Sequence, residues 1–194
     1  MKCLLYKICV CLGLFLLGSC EQTDIYKQGS KTSDSLIGAV GSMAIEFSKI
    51  DTLLLQKAVT RFSDYSNFIK QNINDTVSKN EAEDLQSFFE SGKNLENFSK
   101  NRIFITARAG VINKQLSKLS EDIRNKNIST DEMKKYLDAE KEEAKKLIDA
   151  ANAQVKIFYS GIEEFRNSLR GVEELMRNRN KGELPTIIKD TLSL

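Results

Sequence analysis

The chain has 194 residues, 41% hydrophobic and 29% charged, with no histidine, no tryptophan and a single proline, Pro185. This is ordinary globular composition for one domain, at most two, and 29 Lys and Arg against 27 Asp and Glu leave no basic excess of the kind that grips nucleic acid. Without histidine, Ser-His-Asp and Cys-His nucleophiles cannot be built, and zinc, haem and Glu-x-x-His sites lose their usual nitrogen ligand. A chain with no proline before position 185 lacks the usual punctuation of strands and turns, so long helices and an all-α fold are expected.

Residues 1–20 stand apart. Lys2 and Lys7 precede an apolar run from Ile8 to Leu17, and the four cysteines fall at 3, 9, 11 and 20. The run is too short for a membrane span, which needs about 20 residues, and suits a secretory signal. Its end, Leu17-Gly18-Ser19-Cys20, resembles the lipobox of bacterial lipoproteins. The resemblance covers these 20 residues only. It implies cleavage between Ser19 and Cys20 and acylation of Cys20, by palmitate or a similar chain. It also implies a place in the cell envelope, held stably to a membrane because two or more acyl chains suffice for that. Glu21, following Cys20, permits forwarding to the outer membrane by analogy with Gram-negative lipoproteins; periplasmic and surface faces stay open. The alternatives are a plain signal peptide or an apolar N-terminal helix. With residues 1–19 removed, loss of Lys2 and Lys7 brings the bases to 27, equal to the 27 acids. The remaining chain then holds no free thiol for a disulfide or thiolate metal site.

Residues 20–34, the acylated cysteine followed by EQTDIYKQGSKTSD, read as a flexible tether because they are polar and aperiodic. Such a segment reaches at most about 50 Å. The first helix is expected over about 35–73, with Leu36, Val40, Met43, Phe47, Ile50, Leu54, Ala58, Phe62, Tyr65, Ile69 and Ile73 at steps of three and four. Ser78-Lys79-Asn80-Glu81 is a capping box that opens a second helix over about 79–125. Ser129-Thr130-Asp131-Glu132 is another, opening a third over about 130–181. Arg177, Arg179 and Lys181 suit that helix's C-terminal dipole and Gly182 its stop. Residues 183–194 form a tail.

Helices of this size are about 57 to 75 Å long, and the short turns between them predict an elongated up-down-up antiparallel three-helix bundle over 35–182, with coiled-coil-like packing. Counting back from turns near 76 and 127 or 128 puts Phe104 level with residue 48 and with Ala151. Phe47 and Phe104 would then fill space beside Ala150, Ala151 and Ala153.

Few residues offer chemistry. Asp138-Ala139-Glu140-Lys141-Glu142-Glu143 alternates with lysines and reads as a solvated face with i,i+4 ion pairs rather than a metal or acid-base site. Glu140 and Arg102 occupy stripe positions, either snorkelling at the seam edge or fixing register. Ile103-Phe104-Ile105 and Val155 to Tyr159 are apolar on too many faces for a simple stripe. A thicker core is the favoured reading, and a partner site built on Phe104, Phe158 and Tyr159 the other. The expectation is a non-enzymatic, lipid-anchored structural or protein-binding module without cofactor or metal, meeting a protein or cell-wall partner and no nucleic acid. The alternative is a carrier that parts its helices around a small apolar ligand or lipid.

Overall fold

The computed structural model describes the backbone of residues 2–182 and 184, and the side chains of 24–182 and 184. The expected cleavage and acylation positions Ser19 and Cys20 have side chains outside the described residues, as does nearly all of the tail 183–194.

The described residues are all-helical and contain no strand. There are four helices: α1 (Lys2–Ser48), α2 (Thr52–Asn72), α3 (Lys79–Arg124) and α4 (Thr130–Arg179). Both capping boxes form. The Ser78 N–H donates to Glu81 Oε2 at 2.6 Å while the Glu81 N–H donates to Ser78 Oγ at 3.3 Å, and Ser129 and Glu132 repeat the exchange at 2.9 and 3.3 Å. Donation by the serine N–H holds both glutamates below the usual carboxylate range. The starts of α3 and α4 therefore fall where the sequence places them. After α4, Gly182 adopts φ +87° and its N–H returns to the Arg177 carbonyl at 2.8 Å, the left-handed stop that glycine makes without steric cost.

Two expectations are corrected. The single helix over 35–73 is two, divided at Lys49–Asp51, because Asp51 leaves helical geometry and its carboxylate accepts from the Leu54 N–H at 2.8 Å. An N-cap of this kind satisfies an orphan donor and starts a new helix. The flexible tether is also corrected: residues 24–34 belong to α1, with Tyr26 8% and Ser33 0% exposed.

The chain divides into two units. Unit 1 comprises Met1–Ile45 and Ala107–Ile148; unit 2 comprises Glu46–Thr106 and Asp149–Leu194. In unit 1, α1 runs antiparallel to the second part of α3. The Tyr26 hydroxyl donates to the Ile128 carbonyl at 2.8 Å and the Ser33 hydroxyl to the Leu116 carbonyl at 3.0 Å. Tyr26, Leu119, Ile123 and Met133 form one buried cluster. Asp34 receives the Ser120 hydroxyl at 2.8 Å and the Arg124 guanidinium at 2.7 Å, and these two bonds, Ser120's first, lower its pKa.

The core of unit 2 is aromatic. Phe88 lies 5.3 Å from Phe62, 5.3 Å from Phe165 and 6.1 Å from Tyr65 by ring centroids; Phe98 lies 5.1 Å from Phe158 and 6.1 Å from Phe47. Gly92 makes room for this cluster, since a Cβ there would overlap the Phe62 ring. The Tyr65 hydroxyl donates to Glu173 at 2.6 Å. Burial first, then this bond to a carboxylate, keeps the phenol from ionising until well above its usual range.

Candidate protein-binding surface

The Asp51 cap starts α2, and the packing of that helix turns Leu55 and Ala58 inward at 4% and 0% exposure and leaves Thr52, Gln56, Val59 and Thr60 along its flank. On α3, Phe98 points inward while Ser99, Arg102 and Ile103, spaced i, i+3, i+4, form the opposite flank. Between the two flanks lies a groove of about 410 Å³. Small side chains at Ser99 and Thr60 leave it open. Arg102, half-buried in its wall, supplies the one charge beside the polar side chains of Thr52, Gln56, Thr60 and Ser99, so the groove suits a segment that carries acceptors or a carboxylate and sets apolar groups only against Val59 and Ile103.

Large apolar side chains are exposed on the surface of unit 2, and of these Ile103 belongs to the groove wall. Ile103 is 70% exposed, Leu53 60% and Phe104 69%; on α4, Tyr159 is 60% and Ile157 36% exposed. This corrects the thicker core expected from the sequence, because only Ile105 (3%) and Phe158 (1%) of those two passages are buried. It also corrects the proposed filling by Phe104. The level was right: the Asn101 side chain donates to Gln154 at 3.4 Å, which sets residue 104 opposite about 151. The direction was wrong, since Phe104 points outward, and Ala150 and Ala153 are exposed too. Phe104, Phe158 and Tyr159 therefore do not gather on one face. Phe104 follows Asn101 by three residues and so shares the α3 flank nearest α4, Phe158 packs inside against Phe98, and Tyr159 stands 5.2 Å from the Phe158 ring on the outer surface. The groove residues Thr52, Gln56, Val59 and Thr60 were missed; the Asp51-Thr52 cap signal could have found the start of α2 but not which of its faces borders α3.

In unit 1, the acidic run on α4 makes the expected surface pair, Lys146 to Glu142 at 3.7 Å, and one pair across helices, Arg108 to Glu143 at 2.7 Å. The Arg108 bond holds Glu143 below its usual range. Glu140 differs: one carboxylate oxygen is buried without a hydrogen-bond partner, and burial raises its pKa above the usual 4.5 despite Arg108. Among the described residues no cluster of three or more acidic or thiol side chains is placed to hold a metal, and no helix is long and apolar enough to cross a membrane.

A group protonated more readily in the folded than in the unfolded chain loses stability for the fold as pH rises from the unfolded value through the folded one. Glu140→Gln is therefore expected to raise stability by about 1 kcal/mol at neutral pH, the scale of a partnerless buried polar atom. The gain should vanish at a pH below 4.5, where the parent carboxyl is protonated in both states. Urea denaturation of the two chains at acidic and neutral pH measures it, and an equal gain at both would exclude a charge origin.

No protein-family model matches the chain, and neither a curated protein nor a solved structure matches it.

Proposed function

We propose that the chain is a lipid-anchored protein of the cell envelope, held by acyl groups on Cys20 and cleaved after Ser19, which works without catalysis as a protein-binding module. The anchoring half is supported by the Leu17-Gly18-Ser19-Cys20 motif behind a charged start and a short apolar run. The binding half is carried by one observation, the large apolar side chain of Ile103 standing 70% exposed in the wall of the α2–α3 groove, with Leu53, 60% exposed, next in sequence to the lining residue Thr52. Exposed aliphatic groups that border a groove can continue the contact surface the groove begins. A helical or extended segment of a partner would lay apolar side chains against Ile103 and Val59 and offer an acid to Arg102. Three-helix packing within each unit supplies the rigid backing such a surface needs.

The carrier reading is weaker. The aromatic rings inside unit 2 already pack at 5.1 to 6.5 Å from one another, so a guest would have to displace them.

Two variants test the proposal. Cys20→Ser is expected to move the protein wholly from the membrane to the soluble fraction on ultracentrifugation; retention in the membrane would overturn the anchor. Ile103→Asp is expected to leave thermal stability within about 0.5 kcal/mol. It should also remove the crosslinked partner that the parent chain captures from its own membranes. Unchanged crosslinking would overturn the groove.

A further inference from the structure

Unit 1 carries a second cleft, of about 360 Å³, between α1 and the end of α3. Its walls bring together Lys27 and Lys31 from α1, Arg124 from the last turn of α3 and Lys126 from the turn that follows, around Tyr26 and Ser30, with no carboxylate in the lining. Lys126 is fixed by the turn that ends α3. It adopts φ +56°, its N–H bonds the Ile123 carbonyl at 3.1 Å, and its ammonium stands 5.9 Å from the centre of the Tyr26 ring. The Tyr26 hydroxyl is tied in turn to Ile128. Arg124 is partly committed, to Asp34 at 2.7 Å and Ser30 at 3.0 Å. Among the described residues neither Lys27 nor Lys31 enters an ion pair.

Four cations around one small cleft repel each other. The negative end of the α3 dipole offsets only about half a charge, Asp34 one more, and like charges spaced i,i+4, as Lys27 and Lys31 are, destabilise their helix. An anion between them would relieve this. Position names the anion. The α1 backbone is helical from Lys2, so Lys27, seven residues past Cys20, lies about 10 Å along the axis from it. That is about one Debye length from lipid headgroups if Cys20 bears acyl chains.

We propose that the cleft walled by Lys27, Lys31, Arg124 and Lys126 binds the phosphate of an anionic phospholipid headgroup in the membrane that holds Cys20. The inference rests on the reading of Cys20 as acylated. Lys27, Lys31 and Lys126 supply charge, Ser30 and Arg124 supply donors, and the Tyr26 ring floors the site. Anchoring and headgroup capture would act in series, the acyl chains setting the height and the cleft setting the rotation of α1 about its axis.

The test uses the full chain purified with its native anchor, its acylation read by intact mass, in vesicles of phosphatidylcholine alone or mixed with phosphatidylglycerol. Amide hydrogen exchange over residues 123–128 is expected to slow in the mixed vesicles only, and to recover at high salt. Each of Lys27→Glu, Lys31→Glu and Lys126→Glu should lose about fivefold of that protection, the effect of one basic residue near an anionic surface. Equal exchange in both vesicles would overturn the proposal. So would protection by inorganic phosphate in phosphatidylcholine vesicles with none from phosphatidylglycerol, which would mark a free-phosphate site. A bare Cys20 in the mass spectrum would instead overturn the anchor, and is scored separately from the exchange data.

Discussion

Phe88→Ala is expected to lower the stability of the chain by about 3–5 kcal/mol, the range for truncating a fully buried phenylalanine. Phe88 is 0% exposed and is ringed by Phe62, Tyr65, Phe89 and Phe165 at 5.3 to 6.1 Å. The rings come from three helices, so no single rotamer change can close the void, and the cavity cost adds to the lost transfer energy. The melting temperature should fall by roughly 10 °C. Phe104→Ala is the matched control. The same atoms leave a side chain that is 69% exposed, and the expected change is within about 0.5 kcal/mol. Urea denaturation of both variants separates the two roles: a large loss for Phe104 would put that ring in the core, and a small one for Phe88 would mean that the cluster repacks freely.

The contrast between these two rings shows what was legible in the sequence. Apolar spacing and capping boxes placed α3 and α4 within two residues of their observed ends, because each box encodes a local exchange of hydrogen bonds that needs no tertiary partner. Register was legible for the same reason: short turns fix which residues stand level, and Asn101 meets Gln154 as counting predicts. Rotation about the helix axis was not. Ile103, Phe104 and Ile105 differ by 100° each, and only the packing of neighbouring helices decides that Ile105 is the one turned inward. The groove followed from that decision, so its α2 wall went unseen, although Arg102 was marked as a charge on a stripe position. The break at Asp51 was legible in principle from Asp51-Thr52 before a run of leucines, but the apolar period continues across it and hid the cap.

Tyr26→Ala is expected to cost about 3 kcal/mol, and it decides how far the fold reaches toward Cys20. A tether over residues 20–34 would make the substitution neutral. In the structure Tyr26 is 8% exposed, packs with Leu119, Ile123 and Met133, and donates its hydroxyl to the Ile128 carbonyl at 2.8 Å. Truncation to alanine removes ring packing and leaves that carbonyl without its side-chain donor. Tyr26→Phe keeps the ring, and should cost only about 1 kcal/mol. This segment looked unstructured because its inward positions are Tyr26, Gly29 and Ser33, which carry little hydropathy; yet they continue the spacing of Leu36, Val40, Met43 and Phe47 backward at steps of three and four. Small and polar residues serve there because α1 lies close against its neighbours: Ser33 bonds the Leu116 carbonyl at 3.0 Å, and a Cβ on Gly29 would overlap the Met133 sulfur. Urea denaturation of the two variants, with hydrogen exchange over residues 26–34, checks the claim. Rapid exchange there in the parent chain together with a neutral Tyr26→Ala would restore the tether. Slow exchange with the expected loss means that packed helix begins within six residues of Cys20, so acyl groups on that cysteine would hold unit 1 against the headgroups and leave almost no slack between lipid and fold.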